Sequence, residues 1–566
     1  MTPTVVIGLS GLDWTGFDAR TRDGELPALA ALRGRGMAGP LSGAAGDDGV
    51  ADWASLASGQ PPELHGLWMA EEAWAGGLRP IGKESWRAPP LWERLEEAGV
   101  RTGSALWPGA RAGADWTGMH IDASYGEASG LTAQTWALPL RCAPPQARVA
   151  LRHRRVHPAQ ISAAMLRGFT PRLAEIEQER DAALPLLALA LAEASSAQGA
   201  AMWLLDEGEA QTLFLHQPWL GRVRTTFDRA TGPIWEHVVP QAWRFLDGLV
   251  GRIVQAAGVE ARLLLVSPGW RGRAGVAVVA GPGLERGPLP PASLLDVAPT
   301  ALGWAGLADA QLPGRSLTPP IGETRPLPPP IPAAAAQIDT ALVAEAEALG
   351  FPARDFVPRA WRIRRWVRLA NLLLWRDPAL AQTMARRALA IDADDLGALR
   401  ALAMACALVG EGDELLGLAE RFAQAAPTSA WGELALAGHH VLGGRVPQAA
   451  PHLRAAEATA DPANLLIAAN LWALGRRYAD CERVCRRLLE LEPWNTRARV
   501  ILAGAAMARR DFAGAEAALG EALRADPGEA AIYLQWASLC AATGRAEQAA
   551  HLKALAIRFG ARPKAA

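Results

Sequence analysis

The side chains best placed to do chemistry early in the chain are carboxylates. Asp13, Asp47, Asp48 and Asp52 gather where short apolar runs give way to loops, and oxygen ligands of this kind suit hard divalent cations such as Mg²⁺ or Ca²⁺. Loop carboxylates also cap helices and close turns, and without imidazole partners they would hold a cation weakly. Ser42, Ser55 and Ser58 are the nearest hydroxyls that could attack an ester. A basic group follows: Arg141, Arg148, Arg152, Arg154 and Arg155, with His153 and His157, a set able to hold phosphate or an acidic glycan by charge-assisted hydrogen bonds. Cys481-x-x-x-Cys485 has the spacing of a thiol pair, but no His or Cys cluster accompanies it. Core packing is the expectation there.

The elements that must position these groups change character along the chain. Half of the 566 residues are apolar, enough for two or more cores. Lys plus Arg is 57 against 58 for Asp plus Glu, a balance that argues against a nucleic-acid partner. The five cysteines, Cys142, Cys406, Cys481, Cys485 and Cys540, are too few and odd in number for a disulfide framework. The first apolar run starts within five residues of Met1, and runs such as residues 182–192 are too short to span a bilayer. A cytoplasmic protein without an integral membrane segment is expected.

Up to about residue 318 the pattern alternates short β-branched strands with amphipathic helices. Val5-Val6-Ile7 reads as a strand, Pro27 to Arg33 and Pro90 to Ala98 as helices, and Thr102 to Trp107, Leu263 to Ser267 and Ala274 to Ala280 as further strands. This predicts an α/β doubly wound sheet domain over residues 1–318, with an inserted cap at about 110–200. Residues 319–336, with seven prolines and a run of alanines, read as an extended linker, and residues 337–362 as a linking helix region.

Beyond it the sequence repeats. Pro427, Pro462, Pro493 and Pro527 recur at 35, 31 and 34 residues, and Gly410, Gly443, Gly475 and Gly544 mark turns within the units. Tyr478, Cys481, Cys485, Leu488, Leu489 and Pro493 map onto Phe512, Ala515, Leu519, Ala522, Leu523 and Pro527. A 34-residue period with two helices per unit is the tetratricopeptide pattern, predicting an all-α solenoid of about six repeats over residues 363–560. Such a stack leaves a groove for protein partners, with Arg477, Arg483, Arg497 and Arg509 as candidate contacts. The basic, aromatic stretch Arg359-Ala360-Trp361-Arg362-Ile363-Arg364-Arg365-Trp366-Val367-Arg368 reads as the opening helix of the first repeat rather than an interfacial membrane helix.

Several motifs carry a family resemblance. Thr4-Val5-Val6-Ile7-Gly8-Leu9-Ser10-Gly11-Leu12-Asp13-Trp14, Trp53-Ala54-Ser55-Leu56-Ala57-Ser58-Gly59 and His65-Gly66 resemble the type I phosphodiesterase and nucleotide pyrophosphatase branch of the alkaline phosphatase superfamily. The closing stretch from Ala292 to Leu302, with Gly314-Arg315-Ser316-Leu317, is similar to the end of the same domain. The resemblance implies two divalent cations about 4 Å apart clamping an in-line displacement. At the positions the motifs assign to that machinery, however, Ser10 replaces the first metal-binding Asp and Gly49 the Thr or Ser nucleophile. Pro268 and Gly269 replace an Asp-His pair, and Trp219 and Val223 an Asp-x-x-x-His pair. The segment Arg271-Gly272-Arg273-Ala274 lacks the last His.

None of these substitutes supplies the carboxylate or imidazole that would fix two such ions. The expectation is therefore a pseudoenzyme without cofactor, joined to a partner-binding array and acting as a scaffold. Asp13, Asp47, Asp48, His65, Arg152, Arg154 and Arg155 remain as candidates for an anionic small molecule, nucleotide or glycan over the old cleft. The alternative is a diverged phosphodiesterase, phosphatase or sulfatase-like hydrolase with a divalent metal held by Asp13, Asp47 and Asp48.

Overall fold

Successive residues of the central strands enter opposite cores, as the two-residue period of a strand requires. The computed structural model describes residues 3–327, except 43–48, 75–76, 111–117, 128–135, 137–139, 177–182, 208 and 229–231, and residues 359–559, except 376. It divides into two units, Met1–Arg354 and Asp355–Ala566. In the first, Val5, Ile7 and Leu9 of the opening strand Thr4–Leu9 share a cluster with Leu213, Leu215, Leu263 and Leu265. Val6 packs on the other face with Phe214, Leu264 and Val266. Helices Trp14–Arg22, Ala183–Glu207, Trp219–Phe227 and Val238–Ala257 close the first face. Val50–Ser58, Leu91–Glu97 and Val297–Trp304 close the second. Each fully buried aliphatic side chain contributes about 1.5–3 kcal/mol, and coverage on both sides explains the near-continuous apolar runs.

One sheet of ten strands runs through the unit. Thr4–Leu9 lies parallel between Thr212–Gln217 and Arg262–Ser267, and parallel pairing continues through Thr102–Ala105 to Met119–Ile121. Gly275–Ala280 returns antiparallel to Arg262–Ser267 and pairs antiparallel with Gly36–Ser42. The architecture is the expected helix-covered sheet, with mixed rather than wholly parallel pairing.

Two expectations about organisation change. The described part of residues 110–200 is continuous with the core: Met119–Ile121 and Cys142–Ala143 are edge strands of the main sheet, and Ala183–Glu207 packs on its face. Residues 319–327, read from their prolines as linker, are fastened to the first unit. Their backbone N–H groups at Ile321, Arg325 and Leu327 donate to the Gly303, Gly306 and Ala308 carbonyls, and Arg325–Pro326 pairs with Leu307–Ala308. Proline rejects a ladder hydrogen bond at one edge only, so the composition misled. Residues 328–336, and most of the expected linking region, lie outside the described residues.

The second unit is a run of paired helices, from Arg359–Leu373 and Pro378–Leu389 to Ala530–Ala542 and Ala546–Arg558. The twelve described helices make six pairs, the first starting before the expected boundary at 363. Gly410, Gly443 and Gly475 cap first helices of their pairs, as their spacing suggested. Pro462 differs from the other periodic prolines: it opens helix Pro462–Leu474 at its first turn, behind the capping carboxylate of Asp461. Cys481 and Cys485 are fully buried, as are their repeat partners Ala515 and Leu519.

A close approach beside the opening strand gives a direct test. A Cβ at Gly8 would lie 2.6 Å from Trp53 and 3.1 Å from Trp107. Gly8→Ala should cost about 1–3 kcal/mol of stability through overpacking. Gly248→Ala, in a helix with nothing within 4 Å of the new methyl, should be neutral or stabilising by up to about 1 kcal/mol. Chemical denaturation of the two variants checks both.

Candidate functional site

Parallel strands deliver their last residues to one edge of a sheet, and ligand clefts form where the loops leave that edge. Here Gly8 pairs with His216 across Thr4–Leu9 and Thr212–Gln217, so Ser10 and His216 emerge side by side. A cleft of about 400 Å³ opens over them, lined among others by Trp53, Leu106, Glu127, Glu193, Arg222 and Trp270. Gly11 lets the next helix approach: its φ is +83°, and a Cβ there would meet the Gly221 nitrogen at 2.4 Å. Gly221 N–H donates to the Ser10 carbonyl at 3.1 Å, docking the start of Trp219–Phe227 against the cleft.

That helix has two faces. Pro218, Gly221, Arg222 and Thr225 line the cleft, whereas Trp219, Leu220, Val223 and Phe227 are buried in the core. The three- and four-residue spacing of each set is the helical period. Trp219 Nε1–H donates to the Ala242 carbonyl at 2.8 Å.

Ser10 Oγ and His216 Nε2 are 2.9 Å apart, both buried. His216 is held down to a pKa of about 3, first by burial and then by the Arg222 guanidinium, while a bond to the Leu106 backbone acts the other way. That opposing effect fits Nδ1–H donating to a carbonyl. It leaves Nε2 as the acceptor and Ser10 as the donor. The arrangement has the form of a serine activated by a base, but the energetics oppose proton transfer. Moving the Ser10 proton would bury an imidazolium beside a guanidinium, costing several kcal/mol more than at an exposed histidine. Arg222 is itself clasped by Glu193, with Nε and Nη2 at 2.8 and 3.0 Å from the two carboxylate oxygens.

The sequence-predicted residues do not converge on this cleft as a set. Asp13 is buried and structural: it accepts from Gly16 N–H at 2.9 Å as a helix cap and pairs with Arg224 at 2.7 Å. Gly49 is the N-cap position of Val50–Ser58. Pro268 and Gly269 follow Arg262–Ser267 in the turn before Gly275–Ala280. His65 braces its loop, accepting from Leu67 N–H at 3.0 Å and bonding Ser55 Oγ at 3.1 Å. Arg152 and Arg154 are exposed and are not among the cleft-lining residues. Arg155 stacks 3.5 Å from the Trp136 ring centroid and donates to the Tyr125 carbonyl, and burial lowers its pKa to about 10. Asp47 and Asp48 lie outside the described residues.

In the array, the four candidate arginines already face its own carboxylates. Arg477 pairs with Asp480 at 3.0 Å, Arg483 with Glu457 at 2.8 Å and Arg497 with Glu529 at 3.8 Å, while Arg509 pairs with Glu482. Glu457 and Glu529 are buried, so Arg483 and Arg497 are held against the array and a partner would have to compete with these pairs. Arg477 and Arg509 are about half exposed, and pairs at such places are worth about 0–1 kcal/mol. Among the described residues, the one His/Cys/Asp/Glu group close enough to share a cation is Cys406, Glu411 and Glu414, where Arg386 already binds both glutamates.

Residues 4–267 match the family model of type I phosphodiesterase / nucleotide pyrophosphatase. No curated protein matches the chain. Among solved structures, phosphonoacetate hydrolase from Sinorhizobium meliloti 1021 in complex with phosphonoformate is 16% identical over 47% of this chain and 56% of its own, with a TM-score of 0.30. Yeast Tom70 is 14% identical over 39% of this chain and 49% of its own, TM-score 0.28. TTC0263, a thermophilic TPR protein in Thermus thermophilus, is 18% identical over 36% of this chain and 91% of its own, TM-score 0.23. The chain spans from about two fifths to just over half of the length of the first structures it matches.

Within the first unit, residue order alone did not single out His216, Arg222 and Glu193. The signal for His216 was its place at the end of a strand parallel to the one that carries Ser10. Trp219 and Val223, named from the resemblance, lie on the buried face of the following helix.

The depressed histidine has a measurable consequence. Its folded pKa lies below the unfolded value of 6.5, so unfolding takes up a proton. The associated stability is complete above about pH 6.5 and is lost as pH falls toward 3. Asp296, raised to about 6 by burial, works in the opposite direction, so a variant is needed to isolate the effect. Between about pH 7.5 and pH 5, the melting temperature of the wild type should fall more steeply than that of His216→Asn.

Proposed function

We propose that the protein is a non-catalytic scaffold, in which a phosphodiesterase-family unit without the family's two-metal machinery is joined to a tetratricopeptide-like array that docks a protein partner. One observation carries this reading. Ser10, at the position of the first metal-binding carboxylate, is engaged by an imidazole held neutral, so a hydrogen-bonded pair fills the place where the resemblance calls for a cation ligand.

The fates of the other positions support it. Trp219 and Val223 point into the core, and Asp13, the best remaining carboxylate, is spent on a helix cap and an ion pair. The residues described at this site do not fit a pair of divalent cations. The five cysteines are free and buried, which suits a reducing, cytoplasmic setting. Among the described residues no helix is long and apolar enough to cross a membrane. The paired helices supply the groove for a protein partner, and the cleft over Ser10 supplies a place for a small ligand.

The test uses the full chain. Metal content is measured by mass spectrometry on the purified protein, and turnover of an aryl phosphodiester is followed with added Zn²⁺, Mn²⁺ and Mg²⁺. The expected result is substoichiometric metal and a rate equal to that of buffer. Stoichiometric metal together with turnover would establish the diverged hydrolase instead.

A further inference from the structure

The groups facing the cleft over Ser10 are chiefly hydrogen-bond acceptors, and this selects a ligand. With the Leu106 backbone holding the other ring nitrogen as a donor, the Ser10 hydroxyl donates to His216 Nε2 across 2.9 Å, which leaves the Oγ lone pairs for a donor from outside. Glu127 and Glu193 line the same space. Arg222, the one lysine or arginine lining it among the described residues, has Nε and Nη2 on the two Glu193 oxygens. An arriving phosphate or sulfate would have to break that bidentate pair, or approach Arg222 against the charge of Glu193. The neutral imidazole gives it no help.

A hydroxyl-rich molecule meets no such barrier. Each hydroxyl donates as well as accepts, and the edge of the Arg222–Glu193 pair presents a donor and an acceptor side by side, the pattern that two adjacent hydroxyls complement. Trp53, Ile81 and Leu106 provide an apolar wall for the C–H face of a ring. A volume of about 400 Å³ falls within the range of small-molecule sites.

We propose that this cleft binds a neutral sugar residue, and that Ser10, Glu193 and Arg222 read its hydroxyls. The proposal rests on the non-catalytic reading and names the ligand class of the same site. It replaces the anionic ligand that the arginine-rich segment suggested, because Arg152, Arg154 and Arg155 do not line the space.

The full chain is titrated with glucose, galactose, N-acetylglucosamine and maltose, and in parallel with inorganic phosphate and sulfate. Thermal unfolding and calorimetry supply the readout. At least one sugar should raise the melting temperature, and neither anion should raise it. Glu193→Gln, which keeps the shape of the side chain, and Ser10→Ala should each weaken sugar binding about tenfold or more, as loss of a charged or buried partner does. Glu193→Gln decides alone if Ser10→Ala does not fold. Stabilisation by phosphate or sulfate without any sugar response would overturn the proposal, as would sugar binding undiminished in both variants. Silence toward every sugar would also overturn it, while leaving the non-catalytic reading to stand or fall on the metal and turnover measurements.

Discussion

A neutral imidazole fixed between a serine hydroxyl and a backbone segment sets the character of the first unit. His216 reaches this state because the strand that carries it ends beside the opening strand, under Trp53 and Trp107, whose ring centroids lie 4.7 and 6.4 Å from its own. Those rings remove water, and Arg222 adds a like charge to whatever proton would arrive. Two polar groups of the cleft accord with this: the Ser10 hydroxyl lies 2.9 Å from the imidazole, and the nearest guanidinium is neutralised by its own glutamate. Protonation of the imidazole is opposed by this one placement.

The aromatic packing also explains part of an unusual composition. The chain holds 22 tryptophans against three tyrosines, and Trp53, Trp86, Trp92 and Trp107 form an edge-to-face network with Phe214 on one side of the sheet. Indoles suit this place because they bury large area and need only one hydrogen-bond partner. Trp107 finds its partner in the Trp53 carbonyl and Trp86 in the Gly109 carbonyl.

Much of this was legible from residue order. The opening strand, the helix beginning at Pro27, the paired strands near Leu263 and Val276 and the repeat register of the second unit all follow from local periodicity, and all are present. Geometry that depends on neighbours far along the chain was not legible. Asp13 resembled a loop carboxylate until Arg224, more than two hundred residues on, proved to be its partner. His216 gained its role only from register with Gly8, and residues 319–327 gained theirs from a strand edge that composition does not reveal.

The two-faced helix Trp219–Phe227 also limits where charge can sit. Its Trp219 and Val223 are sealed against solvent, and the Trp219 indole is tied to the helix Val238–Ala257 behind it. An aspartate or a histidine introduced at either position would arrive inside hydrocarbon, where ionisation is strongly opposed. Hydrating it would demand rotation of the segment together with repacking of the layer beneath it. The barrier against placing charge on this side of the helix is therefore mechanical as well as electrostatic.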